Sequence, residues 1–154
     1  MTANETPAVP SAPGTAGRAL RSWTVELPPL ELVTSNQRLH HMAKARLTKE
    51  IRDAALWLAR RQDIPQIERA RIVGELRFAD RRRRDPANWQ DSAKAGVDGI
   101  VSAGILRDDD AAHVVGPDMR LGEPARSLRT RGLTGYAVLI LHIYELPEVS
   151  RGDR

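Results

Sequence analysis

Residues 136–144, YAVLILHIY, are the most apolar stretch of a 154-residue chain in which 29% of residues are charged. The run has the length of a strand and falls far short of the roughly 20 residues that cross a membrane. A strand that is apolar at nearly every position has no solvent-facing side, so it predicts a sheet covered on both faces. The rest of the chain has to supply that cover.

Residues 43–61 place Leu47, Ile51, Ala54, Ala55 and Leu58 at the spacing of one helical face, with charges elsewhere. Trp89–Ala103 repeats the pattern with Trp89, Ala93, Val97, Ile100 and Val101, and Gly104 stands where a helix C-cap belongs. Between them, Ala70–Ala79 alternates Ile72, Gly74, Leu76 and Phe78 with Val73, Glu75 and Arg77, which is a strand pattern. Phe78 is the only phenylalanine, and its face is expected in the core. Trp23–Leu27 reads as a strand closed by Pro28 and Pro29, followed by a loop through His41 that contains Thr34, Ser35 and Asn36. Ala112–Val115 reads as a short strand interrupted by Gly116 and Pro117.

The order strand, helix, strand, helix, strand, strand predicts an α/β (α+β) fold: a small mixed β-sheet flanked by two main helices, in a single domain over residues 22–146. Residues 1–21 are rich in Ala, Pro, Thr and Gly and offer little apolar surface against the entropy of ordering, so they are expected to form a disordered tail. Residues 147–154 are expected to form a frayed C-terminal tail.

The net charge is +4 and the pI near 10.1, from 21 arginines and 3 lysines against 20 acidic residues. Guanidinium forks suit bidentate phosphate contact, although an Arg and Ala excess is equally the mark of a GC-rich genome. The absence of cysteine excludes disulfides, thiolate metal sites and zinc fingers. With neither a membrane-length apolar run nor a secretory leader, the expected location is the cytoplasm.

Residues 81–110 concentrate the charge pattern that points to chemistry. Arg81, Arg82, Arg83 and Arg84 precede Asp85, and Asp108, Asp109 and Asp110 follow the second helix. On that helix Asp91, Lys94 and Asp98 share a face distinct from the apolar stripe. The plain reading is a solvated surface with local ion pairs. The sharper one is a polyanion site: arginines for phosphates, carboxylates for a hard divalent cation, and Lys94 beside the extra charge on phosphorus. Phosphodiester cleavage needs charge stabilisation at the attacking and leaving oxygens, which carboxylate-held Mg²⁺ supplies. It requires the two carboxylate clusters to converge, which spacing alone does not show. A basic run is commonly only solvated surface, but clustered like charge is relieved by an anion such as the DNA backbone.

The segment RRRRD with Asn88, the helix bearing Lys94 and Asp98, then SAGIL and an aspartate cluster with VV shortly after, resembles the RusA-type Holliday-junction resolvases, especially phage-encoded versions. The core match covers about residues 77–116, and the upstream ELPP and SNQR segments resemble the family's first strand and loop. The resemblance implies a RusA-like endonuclease domain over residues 22–146. It implies a homodimeric endodeoxyribonuclease that binds four-way DNA junctions and nicks them symmetrically with Mg²⁺ or Mn²⁺. Carried over by position, Asp85, Lys94 and Asp109 are the catalytic residues, and Asp85 and Asp109 hold metal, with Asp110 the neighbouring alternative. Arg77, Arg81, Arg82, Arg83, Arg84, Asn36 and Arg38 fall in the segments expected to face DNA.

One position departs from the pattern. The family reads Asp, any residue, Asp, Asn, whereas this chain reads Asp85, Pro86, Ala87, Asn88, with about three extra residues before Lys94. Asp91, on the Lys94 face, is the candidate to replace the carboxylate absent at Ala87. The rival function is a catalytically silent nucleic-acid-binding protein that keeps the basic surface. A Ca²⁺ module built on Asp108–Asp110 is a weaker reading, because the regular ligand spacing of such loops is absent. His40, His41 and His113 read as surface or packing residues, Trp89 as core rather than a base wedge, and His142 as an interior or interface histidine.

Overall fold

The computed structural model describes residues 19–149, which form a four-stranded mixed sheet with helices, an α+β single-domain fold. Strands β1 (Ser22–Glu26), β2 (Ala70–Arg77), β3 (Val114–Leu121) and β4 (Val138–Glu145) lie in the order β1-β4-β2-β3. The β4 strand is antiparallel to both neighbours, whereas β2 and β3 are parallel. The apolar run thus becomes an interior strand. Leu139, Leu141 and Ile143 pair with Leu76, Gly74 and Ile72 on one face, and all six positions are buried. On the other face Ile140 and Tyr144 are 3% and 5% exposed, so the strand is covered on both sides.

The two main helices, α1 (His41–Arg61) and α2 (Gln90–Ser102), occupy the Leu139 face. Leu47, Ile51, Ala55 and Ala59 of α1 and Val97 and Ile100 of α2 join the strands in one core. Small residues set how closely the layers approach. A Cβ added at Gly96 would lie 2.8 Å from the Leu141 side chain, and one at Gly99 only 2.4 Å from the Arg52 carbonyl oxygen of α1. The Lys44–Asp91 pair and the Gly99–Arg52 contact advance together along both helices, so α1 and α2 run parallel. Each returns the chain against the direction of the strands, as a crossover between parallel strands requires.

Three elements differ from expectation. Trp89 closes a 3-10 turn, Pro86–Trp89, rather than opening α2; Pro86 has no N–H to offer a helix interior, and Asp85 caps the turn through the Ala87 N–H at 3.1 Å. The β3 strand runs through Gly116 and Pro117 instead of stopping there. Its pairing with β2 shifts register between Arg71 and Val73, and Gly116, at φ +98, passes so close to Ile72 that a Cβ would meet its carbonyl at 2.6 Å. A short helix, α3 (Ser127–Thr130), lies in a segment without a sequence assignment and buries Leu128.

Of the expected N-terminal tail, residues 1–18 lie outside the described residues. Arg21 is engaged in the fold, pairing through Nε and Nη2 with Glu145 at 3.0 and 3.1 Å. At the other end Pro147–Val149 are exposed and carry no regular structure, and residues 150–154 lie outside the described residues. No helix among the described residues is long and apolar enough to cross a membrane.

Candidate nucleic-acid interface and carboxylate site

Strands β1, β2 and β3 end at the same edge of the sheet, where β4 begins. The loop after β1 and the arginine loop after β2 both leave from this edge. Two contacts lock them together. Ser35 donates its backbone N–H to the Asn88 carbonyl at 2.9 Å, and buried Ser92 of α2 bonds both the N–H and the carbonyl of Val33 at 2.8 Å. Asn36 and Arg38, both exposed, therefore stand beside the Asp85–Asn88 turn.

The four arginines are not equivalent. Asp80 accepts from the Arg82 backbone N–H at 3.0 Å and pairs with Arg84 at 2.9 Å and Arg82 at 3.2 Å. The Arg82 N–H, helped by the Arg84 and Arg82 guanidiniums, holds the Asp80 carboxyl below the usual range against the opposing effect of desolvation. Arg84 also lies 4.1 Å over the Phe78 ring, which meets Trp89 edge-on at 5.0 Å. Trp89 is thus packed on the core, as its position suggested. Arg81 reaches Glu123 at 2.9 Å, with both side chains exposed. Arg83 is exposed and has no ion pair or hydrogen-bonded partner among the described residues. Arg77 points its Nε to Glu75 at 2.7 Å. Arg83, Asn36 and Arg38 are consequently open to an external anion, Arg81 and Arg82 are exposed but paired, and Arg77 and Arg84 serve the protein's own carboxylates.

The sequence-selected carboxylates divide between the two ends of α2. Asp85 caps the turn ahead of the helix, and Asp91 in its first turn pairs with Lys44 of α1 at 3.5 Å. Near the other end, Asp98 and Asp109 come within hydrogen-bonding contact. Partial burial first, and then the charge of Asp109, push the Asp98 carboxyl above its usual value, while Arg52 and Lys94 pull the opposite way. Asp110 faces its own loop: it accepts from the Ala112 and His113 backbone N–H groups and makes a short contact with His113 Nδ1. The His113 contact lowers the Asp110 carboxyl most.

Thirteen residues of α-helix extend about 20 Å, so a single chain does not bring Asp85 and Asp109 onto one cation. No group of three or more His, Asp or Glu side chains suited to a metal occurs among the described residues. The Asp98–Asp109 pair does fit a hard divalent cation, because Mg²⁺ is commonly held by one or two carboxylates while water and substrate phosphate complete its shell. Lys94, exposed and one turn before Asp98, acts on the same carboxylate.

Sequence reasoning missed three residues. Arg52 of α1 bears electrostatically on Asp98 across a helix crossing that only Gly99 hinted at. Ser92 was hidden among helix positions. Glu75 is buried and faces Arg77, Arg120 at 3.4 Å and His142 Nε2 at 3.4 Å. Burial pushes Glu75 up, but Arg77 with His142 and Arg120 outweighs it and leaves the carboxyl below its usual value. A histidine within the apolar run was the one visible signal of such a cluster.

No protein-family model matches the chain, and no curated protein matches it.

Proposed function

We propose that this protein is a Mg²⁺-dependent, structure-selective endodeoxyribonuclease of the Holliday-junction resolvase kind, acting as a cytoplasmic homodimer on four-way or other branched DNA. The observation that carries this reading is the docking of the 33–38 loop onto the Asp85–Ser92 segment. It gathers Asn36, Arg38, Arg83 and Asp85 at one end of α2, while Lys94 and Asp98 follow along the same helix and Asp109 comes from the loop after it. A DNA strand advances about 3.4 Å per nucleotide, so about six nucleotides cover the roughly 20 Å length of α2.

In this reading Arg83, Asn36 and Arg38 hold the phosphate backbone, and Asp98 and Asp109 hold the cation, Mg²⁺ or Mn²⁺. A cation held there would supply a water of lowered pKa and neutralise charge on the phosphate oxygens. Lys94 faces the same phosphate and stabilises the extra negative charge of the pentacovalent state. Arg52 offsets the charge of the two carboxylates. Asp91, paired with Lys44, keeps Lys44 near the face of α2 that bears Lys94. Two such chains related by a two-fold axis match the symmetry of a junction cut at paired positions.

One feature favours the rival reading of a DNA-binding protein without catalysis: Asp85 is engaged as a turn cap, and Ala87 carries no carboxylate. Incubation with a synthetic four-way junction separates the two. The nuclease reading expects paired nicks that need Mg²⁺ or Mn²⁺ and vanish in Lys94→Ala and Asp109→Asn while junction binding persists. Binding with no cleavage in either metal sinks it in favour of the rival.

A further inference from the structure

At the same end of the sheet as the arginine loop, an open cleft of about 680 Å³ lies between α1, the Pro28–Pro29 corner and the α3 segment. Trp57 and Leu58 of α1 form one wall, Pro28 and Pro29 another, and Arg77 and Arg131 lie at its edge. Its volume is in the range of small-ligand sites, about 300–1,000 Å³. Trp57 is 70% exposed, whereas Trp23 and Trp89 are both partly buried against the core. No aromatic ring or guanidinium stacks on the Trp57 indole among the described residues. An indole left in water with a free face is a stacking platform without a partner.

The charge around the cleft selects the kind of partner. Arg126, Arg129 and Arg131 are all exposed on the α3 segment, and none has an ion-pair partner among the described residues. Glu26 is the one carboxylate on the lining, and Arg77 is already matched by Glu75. The segment carrying these arginines is tied to the arginine loop: the Ala125 N–H bonds the Phe78 carbonyl at 2.7 Å, and Glu123 pairs with Arg81. An aromatic face, an apolar floor and an uncompensated guanidinium are the parts that take one unpaired base and the phosphate beside it.

We propose that this cleft receives an unpaired nucleobase of branched DNA, stacked on Trp57 with its phosphate on Arg131. The inference rests on the DNA-binding reading above and adds what selects branched over continuous duplex. A continuous duplex presents phosphates to the arginines but no free base to Trp57. At a branch point, where stacking is interrupted, a base is extruded at lower cost than from a continuous duplex.

The test measures anisotropy of three labelled DNAs: a duplex, the same duplex with one unpaired thymine, and the same bulge with an abasic site in place of the thymine. Wild type is expected to bind the thymine bulge most tightly. Trp57→Ala should lose about tenfold on that substrate and little on the other two, with Trp57→Phe retaining most of the preference. Arg131→Ala should weaken all three and lower the salt slope by about one. Equal affinity of wild type for thymine and abasic bulges, or an unchanged preference in Trp57→Ala, overturns the proposal while leaving DNA binding intact. Sedimentation of Trp57→Ala as a smaller species than wild type, with all three affinities reduced alike, overturns it in favour of a contact between two copies of the chain. Failure of wild type to bind any of the three removes the DNA reading itself.

Discussion

Ser92 on α2 holds Val33 at both of its backbone polar groups: the hydroxyl donates to the Val33 carbonyl and accepts from the Val33 N–H, each at 2.8 Å. The serine is fully buried and Val33 is 2% exposed, so no water competes for either bond. This one side chain fixes the loop bearing Asn36 and Arg38 relative to the helix bearing Lys94.

Ser92→Ala leaves a buried donor and a buried acceptor unpaired. Each unpaired group costs about 1–3 kcal/mol, so a loss near 3 kcal/mol is expected in denaturant unfolding. Hydrogen exchange should show Val33 and Ser35 losing protection before the sheet does. Unchanged protection there means the loop is held by other contacts.

Gly99→Ala pits helix propensity against packing. Alanine is about 1 kcal/mol better than glycine inside a helix, but its Cβ would sit 2.4 Å from the Arg52 carbonyl and 2.7 Å from the Ala55 Cβ. Backbone cannot yield as a flexible side chain would, so overpacking wins and the variant should be about 1–3 kcal/mol less stable. Thermal unfolding measures it, and a higher melting temperature than wild type refutes the parallel helix contact.

Arg83→Ala and Arg84→Ala should separate binding from folding. Arg83 has no partner among the described residues, so its removal is expected to leave the melting temperature unchanged and reduce the salt dependence of DNA binding by about one phosphate contact. Arg84 is wedged between Asp80 and the Phe78 ring, and its loss should lower stability by about 1 kcal/mol. Equal effects of the two on stability contradict this division.

The Glu75 cluster predicts acid sensitivity. The folded Glu75 carboxyl lies below its ordinary 4.5, so the stability it contributes is present above that pH and is lost as the pH falls through the folded value. Burial pushes the His142 imidazole below its ordinary 6.5, more than Glu75 raises it, so the fold prefers the neutral ring and loses stability as the pH drops below about 6.5. Melting temperature should therefore decline in two stages on acidification, His142 first. Glu75→Gln should cost about 2 kcal/mol at neutral pH, discounted for the partly exposed arginines, and flatten the lower stage.

Divalent cation should stabilise the chain through Asp98 and Asp109. Burial and the neighbouring charge of Asp109 raise the Asp98 carboxyl, and a cation that binds only the folded pair raises stability by about 1–3 kcal/mol at ten to a hundred times its dissociation constant. Millimolar Mg²⁺ is expected to raise the melting temperature of wild type, and EDTA to reverse it. Asp109→Asn should be slightly more stable than wild type without metal, by about 0.3 kcal/mol, and insensitive to Mg²⁺. A Mg²⁺ effect that survives Asp109→Asn places the cation elsewhere.

Periodicity along the chain determined which residues form α1, α2, β2 and β4, because the helical stripe at Leu47, Ile51, Ala55 and the unbroken run of β4 are local patterns. The sequence also carried the clustering of Arg81–Arg84 with Asp85, which follows from chain adjacency alone. Tertiary structure decided the pairings between distant residues: β4 inserting between β1 and β2, His142 meeting Glu75, Ser92 reaching Val33, and Asp109 folding back on Asp98. Such contacts depend on sheet register and on how closely two helices cross at Gly99, and neither is written in the spacing of residues along one element. The same reason explains the outcome for the carboxylates. Asp85 and Asp109 flank α2 in sequence, and spacing alone left their convergence open; the 13 residues of helix stand between them, and it is Asp98, on that helix, that feels the charge of Asp109.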